Sequence, residues 1–174
     1  KKATCTISRN GDLIHRMYLQ VDVPSVTTSS ITFRWLNWLG HLLVKTMEVS
    51  IGGHKIDKQY GEWLHIWNEV AADPAKQYAY AEMVGNVPRL TQIQSSNSTA
   101  QDTSGTTDSY TLYIPLQFWF CRHAGLALPI ISLQYSDVKV KVKLRKLEEC
   151  IWATKQSSST SYRDSTGASA LDTT

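Results

Sequence analysis

The 174 residues are 42% hydrophobic, 10% aromatic and 19% charged, enough to bury one sizeable core but too few for two ordinary domains. Eighteen Lys and Arg against fifteen Asp and Glu leave a net charge of +3, without the concentrated basic field of a dedicated nucleic-acid binder. Apolar stretches such as Ile114 to Phe120 are far shorter than a membrane-spanning helix, and Lys1-Lys2 leads into no signal-peptide apolar region.

Cys5, Cys121 and Cys150 fit neither a disulfide framework nor a zinc signature, and a reducing compartment is the simplest reading. From Leu13 to Val23 the apolar residues hold the odd positions, the period of a half-buried strand, which Arg9-Asn10-Gly11-Asp12 precedes and Pro24 stops. The β-rich stretch from Leu42 to Ile51 ends at Gly52-Gly53, where positive φ is cheap, and predicts a strand turning tightly into Lys55-Ile56-Asp57. Between Gly61 and Ala72 the spacing of Trp63, Leu64, Trp67 and Val70 changes to three and four, which predicts an amphipathic helix ended by Asp73-Pro74. A short helix over 75–84 follows.

The stretch 91–109 holds ten Ser or Thr in nineteen residues and reads as a long surface loop inserted in the domain. After it, Leu112 to Phe120 predicts a strand, Arg122-His123-Ala124-Gly125 a turn, and the residues through Leu144 a long second strand, together a hairpin-type pair. In that second strand the apolar parity flips near Ser136-Asp137, which predicts a β-bulge or sharp bend. The stretch 156–174, again with ten Ser or Thr, reads as a loop or linker, so the domain is expected to occupy 1–155. One helical patch among several strands, with no βαβ spacing and no internal repeat, predicts an all-β antiparallel sandwich.

Little in the chain points to catalysis. The five histidines, His15, His41, His54, His65 and His123, show no metal-ligand spacing, and no nucleophile elbow, phosphate loop or dinucleotide fingerprint occurs. His65 and Glu69 share a helix face and read as a surface pair. Asp57, Glu62 and Glu69 are the carboxylates near aromatics, but they read as solvated turn and helix residues before any glycosidase pair. Cys121, beside Arg122-His123, reads as a buried strand-end cysteine rather than an activated thiolate. No catalytic, cofactor or metal residue is therefore assigned.

Lys139, Lys141, Lys143 and Arg145 form a cationic stripe backed by Val138, Val140, Val142 and Leu144. It reads first as a solvated face that blocks edge pairing, then as a subunit contact, and last as a nucleic-acid surface, because its interleaved residues are aliphatic. Six tryptophans are many for this length and suit core packing or interface anchoring. Asn97-Ser98-Thr99 is a sequon that makes Asn97 the candidate glycosylation site.

Three blocks carry a resemblance. They are Ile7-Ser8-Arg9-Asn10-Gly11-Asp12-Leu13-Ile14, then Ile51-Gly52-Gly53-His54-Lys55-Ile56-Asp57 with Tyr60-Gly61-Glu62-Trp63, and Leu112-Tyr113-Ile114-Pro115-Leu116-Gln117-Phe118-Trp119-Phe120-Cys121-Arg122, which continues through Gly125-Leu126-Ala127-Leu128-Pro129 to Leu133-Gln134-Tyr135. In this order the sequence resembles, over residues 7–145, the major capsid protein of the nucleocytoplasmic large DNA viruses, the irido-, phycodna- and mimivirus-like group.

The resemblance implies two tandem eight-stranded jelly rolls, of which this chain holds an incomplete first one with a short helical insertion and lacks the strand before Ala3, the segment after Thr174 and the second jelly roll. It further implies a homotrimer forming a pseudo-hexagonal capsomer that contacts neighbouring capsomers and minor capsid proteins in the virion shell. No enzymatic activity, cofactor or direct nucleic-acid contact is expected, any contact with an inner viral membrane is indirect, and assembly takes place in the host cytoplasm.

Trp63, Trp67, Trp119 and Arg122 are the candidate packing and assembly residues. Trp63 and Trp67, together with the Trp35–Leu43 segment, are expected to brace the jelly roll or its capsomer contacts, and Arg122 is read as a turn residue pairing with a carboxylate. The competing class is a sandwich-fold carbohydrate-binding module or glycosidase, which requires exposed tryptophans and a carboxylate pair. A nucleic-acid binder using the lysine stripe is the third.

Overall fold

A computed structural model of the chain describes residues 1–28, 31–71, 73–92, 105–157 and 160–163. The first half contains β1 (Lys2–Thr6), β2 (Leu13–Ile14), β3 (Tyr18–Val23), β4 (Val26–Thr28), β5 (Ile31–Trp35), α1 (Leu39–Leu43), β6 (Val44–Ile51) and β7 (His54–Tyr60). A helical stretch follows, with α2 (Gly61–Ala71), α3 (Gln77–Val84) and α4 (Pro88–Thr91). The rest comprises β8 (Gly105–Thr107), β9 (Tyr110–Pro115), α5 (Trp119–Arg122), β10 (Leu128–Pro129), β11 (Val138–Leu144), β12 (Ile151–Ser157) and β13 (Thr160–Arg163).

All the strand pairs are antiparallel, and the largest sheet runs β1-β11-β6-β7. Its inner face is set by period-two alternation: Val138, Val140 and Val142 of β11 and Met47 and Val49 of β6 are buried, and the lysines between the valines point away. The Gly52-Gly53 turn forms as its residues predict, with both φ values positive at 57° and 86°, the twist that a two-residue hairpin needs.

The β3–β9, β4–β8 and β13-β12-β5 ladders form a second layer that shares its core with this sheet. Val23 pairs with Tyr110 and Val26 with Thr107, so β3–β9 and β4–β8 are one ladder in a single register, interrupted only at Pro24-Ser25 and Asp108-Ser109. Proline lacks the N–H that the ladder would use. Both layers feed one hydrophobic cluster in which Leu112, Ile114, Phe118 and Phe120 are fully buried. The helices lie beside this core, α1 against α2 and β9, α3 against β9, and α2 against β6.

Several sequence expectations change. The strand expected over 13–23 divides into β2 and β3, and Leu13, expected on the buried face, is 65% exposed, while Met17, Leu19, Val21 and Val23 keep the inward parity. No hairpin joins 112–120 to 126–144. The strand stops at Pro115, Trp119 begins the helical turn α5, a 3₁₀ turn covers Ala124–Leu126, and β9 and β11 belong to different ladders. The parity flip near Ser136 is therefore no bulge within one strand: turns occupy the chain between β10 and β11, leaving Ile131 60% and Tyr135 99% exposed.

The short helix expected over 75–84 forms as α3 (Gln77–Val84), and helix is more abundant than expected, since α1, α4 and α5 also occur. Of the apolar face expected for α2, Leu64 is buried but Val70 is exposed, and Gly61 and Asn68 are buried as well. Within the two Ser/Thr-rich stretches strands occur among the described residues: β8 pairs with β4, and β13 pairs with β12 beyond residue 155. Asn97 lies outside the described residues.

Candidate functional site

Three of the four candidate tryptophan and arginine positions meet in one cluster. On α2, Trp63 and Trp67 are one turn apart, and their ring centroids lie 5.9 Å apart at an interplanar angle of 40°. The Arg122 guanidinium, at the end of α5, sits 4.6 Å from the Trp67 ring centroid and 5.7 Å from that of Trp63. Arg122 also donates Nε–H to the Gln117 carbonyl at 3.4 Å, and the same carbonyl accepts from Gln59 Nε2 at 2.8 Å, which links β7 to the segment before α5. Among the described residues Arg122 forms no ion pair. The carboxylate expected for it is replaced by two aromatic faces, because the helical turn of α5 aims the side chain across α2 rather than out of a loop.

Trp119, the fourth residue, does not join them. Its ring packs edge-on against Phe120 at 5.0 Å and 89°, and Phe120 in turn stacks on Phe118. Since Phe118 and Phe120 are fully buried, Trp119 sits on the rim of the core. His15 closes this corner from the other side, donating Nδ1–H to the Phe120 carbonyl at 3.0 Å.

Sequence reading missed a second cluster, composed of Trp38, His41, His65 and Tyr80. Trp38 has φ 58°, the left-handed region, and is the one non-glycine residue with positive φ among the described residues. Its indole stacks on the His41 imidazole at 5.3 Å with the planes 4° apart, and the His65 ring lies 5.8 Å from that of His41. His41 Nε2 is 2.7 Å from the Tyr80 hydroxyl, and its Nδ1 is buried without a partner. Burial, reinforced by His65, pushes the His41 pKa down to about 4, and burial pushes Tyr80 up to about 12. Both groups are therefore neutral near pH 7. His41, His65 and Tyr80 come from α1, α2 and α3, Trp38 immediately precedes α1, and the four are spread over 43 positions, so no spacing rule joins them.

The remaining chemical candidates take structural positions. Glu62 is ion-paired with Arg145, and its carboxyl is held below the usual range first by its backbone hydrogen bond and also by Arg145. That is the reverse of a general acid. His65 and Glu69 form an exposed i,i+4 pair at 4.0 Å. Burial raises the Cys121 thiol above its ordinary pKa, which argues against a reactive thiolate. Among the described residues no three metal-ligating side chains converge. Trp63 and Trp67 are half-buried and have the Arg122 guanidinium over their rings, where a stacked sugar would have to sit.

Comparison with known proteins bears on what such an arrangement serves. The profile of the family described as "Major capsid protein N-terminus" matches residues 1–173. The chain is 43% identical over 170 residues to the major capsid protein of Phaeocystis pouchetii virus, an alignment covering 88% of this chain and 33% of that protein. It is 41% identical over 157 residues to capsid protein 1 of Acanthamoeba polyphaga mimivirus, covering 86% and 26%, and 30% identical over 152 residues to the major capsid protein of Frog virus 3, covering 83% and 32%. The chain thus spans about a quarter to a third of the length of these relatives.

Among solved structures it is similar to PBCV-1 Vp54 fitted into a reconstruction of the virophage Sputnik, with a TM-score of 0.60, 29% identity, and coverage of 83% of this chain and 30% of that one. The quasi-atomic model of the PBCV-1 capsid gives a TM-score of 0.61 at 28% identity, with the same coverage. The antiparallel layers are accordingly those of a jelly roll.

Proposed function

The chain belongs to the family of major capsid proteins of large DNA viruses, and from that premise we propose that it supplies most of the first of two jelly rolls in a shell subunit. Three such subunits form a pseudo-hexagonal capsomer, which contacts neighbouring capsomers and minor capsid proteins to tile an icosahedral virion. The role is structural, without catalysis or cofactor, and without direct contact to nucleic acid. Contact with an inner membrane is indirect, and assembly takes place in the host cytoplasm.

The observation that carries this reading is the likeness to the PBCV-1 capsid over 83% of the chain at 28% identity. Physical features support it. A shell subunit needs a rigid sandwich and contacts repeated by symmetry. The Trp38–His41–Tyr80 cluster holds α1 to α3, and the Trp63–Trp67–Arg122 stack holds α2 to the segment leaving β9, which is how a bracing insertion would be built.

Light scattering on the full-length protein tests the reading, with a mass of three chains expected. Cryo-electron microscopy of the particles should then show β1 to β12 fitting each capsomer. A full-length chain that stays monomeric and enters no particle overturns it.

A further inference from the structure

Strand pairing enlarges the lysine stripe into a two-dimensional array. In register, Lys143 of β11 lies between Lys2 of β1 and Thr46 of β6, Lys141 lies between Thr4 and Glu48, and Lys139 lies between Thr6 and Ser50. On the far side of β6, Glu48 pairs with Lys58 and Ser50 with Lys55 of β7. Directly paired residues point to the same side of a sheet. One face of the four-stranded sheet therefore gathers Lys2, Lys55, Lys58, Lys139, Lys141 and Lys143 around the single carboxylate of Glu48, an excess larger than the net charge of the whole chain. Glu48 is shared with Lys58 at 3.9 Å, and at the rim Asp137 pairs with Lys139 at 3.9 Å and with Arg9 at 3.3 Å. Lys2, Lys55, Lys141 and Lys143 have no ion-pair partner among the described residues.

We propose that this lysine face is the docking surface for an extended acidic segment of a neighbouring shell protein. The proposal rests on the shell reading and deepens it by naming a surface and the chemistry of its partner. Lysines two residues apart on β11 are separated by about 6.5–7 Å. A second extended chain laid along β11 repeats that spacing, so Asp or Glu at alternate positions meets one ammonium group each.

Nucleic acid fits the face less well. The ammonium groups are point charges without the fork of arginine, and the residues between them are valines turned into the core, so no aromatic platform lies along β11 on which bases can stack.

Zero-length carbodiimide cross-linking of intact particles, read by peptide mass spectrometry, tests the proposal. Amide links from Lys139, Lys141 or Lys143 to carboxylates of another polypeptide are expected. The full-length variant carrying K139Q, K141Q and K143Q should lose those links while still forming trimers. Particles that contain the chain but leave all three lysines unlinked, or link them only within their own chain, overturn this inference and leave the shell reading standing. Efficient ultraviolet cross-linking of β11 to packaged DNA overturns it in favour of nucleic acid. Absence of the chain from particles is a failure of the shell reading itself.

Discussion

The guanidinium of Arg122 sits over the indole of Trp67, 4.6 Å from its ring centroid, and joins α5 to α2 with no ion-pair partner among the described residues. Residues 55 positions apart are tied by charge and ring rather than by an ion pair. An exposed cation–π contact contributes about 0.5–1 kcal/mol. Arg122→Ala should therefore lower the unfolding free energy by about 1 kcal/mol and change the tryptophan fluorescence, while Arg122→Glu should cost more. Chemical denaturation followed by fluorescence measures both, and an Arg122→Ala protein of unchanged stability and emission would show that the contact is ornamental.

His41 makes stability depend on pH. Folding lowers its pKa from 6.5 to about 4, so the unfolded chain binds the proton more readily in that interval. The stabilisation from keeping His41 neutral is full above pH 6.5, is lost as the pH falls towards 4, and changes no further below that. With His41 only 3% exposed, the loss is about 3 kcal/mol. Denaturation midpoints measured from pH 7 to 4 should fall in the wild type and fall less in His41→Phe, and an equal fall in both would remove this account.

Gly61 opens α2, and a glycine in a helix ordinarily gains about 0.5–1 kcal/mol on replacement by alanine. Here the added methyl would overlap the backbone carbonyl oxygens of Val44 and His41, which cannot move aside independently. Gly61→Ala should be destabilising by roughly 1–3 kcal/mol or more. Gly11→Ala, with nothing within 4 Å of the new methyl, serves as the neutral control. A melting temperature for Gly61→Ala equal to that of the control would contradict the packing at this junction.

Phe118 and Tyr135 separate core from surface. Phe118 is fully buried against Phe120, and Tyr135 is 99% exposed. Phe118→Ala should cost about 3–5 kcal/mol, and Tyr135→Ala should stay within about 0.5 kcal/mol of wild type. Urea titration of the two variants checks the contrast, and comparable losses would mean that Tyr135 packs against something in solution.

What was legible in the sequence was local. The Gly52-Gly53 turn follows from the φ values that only glycine adopts cheaply, and α2 over Gly61–Ala71 follows from apolar residues three and four apart. The inward valines of β11 follow from alternation, and the Ile7, Ile51 and Leu112 blocks carried the family resemblance. Where the reading went astray, at the supposed hairpin over 112–144, it treated neighbours in sequence as partners in the sheet.

Backbone preferences and the period of a strand are properties of a few consecutive residues, so the chain by itself determined the turn, the central helix and the inward faces of β3 and β11. Which strand lies beside which is decided by burying one shared core, and that choice joins residues more than a hundred positions apart. Only tertiary structure could therefore set β11 between β1 and β6, gather six lysines on one face, bring His41 to Tyr80, and turn Arg122 from a loop charge into the clasp over Trp67.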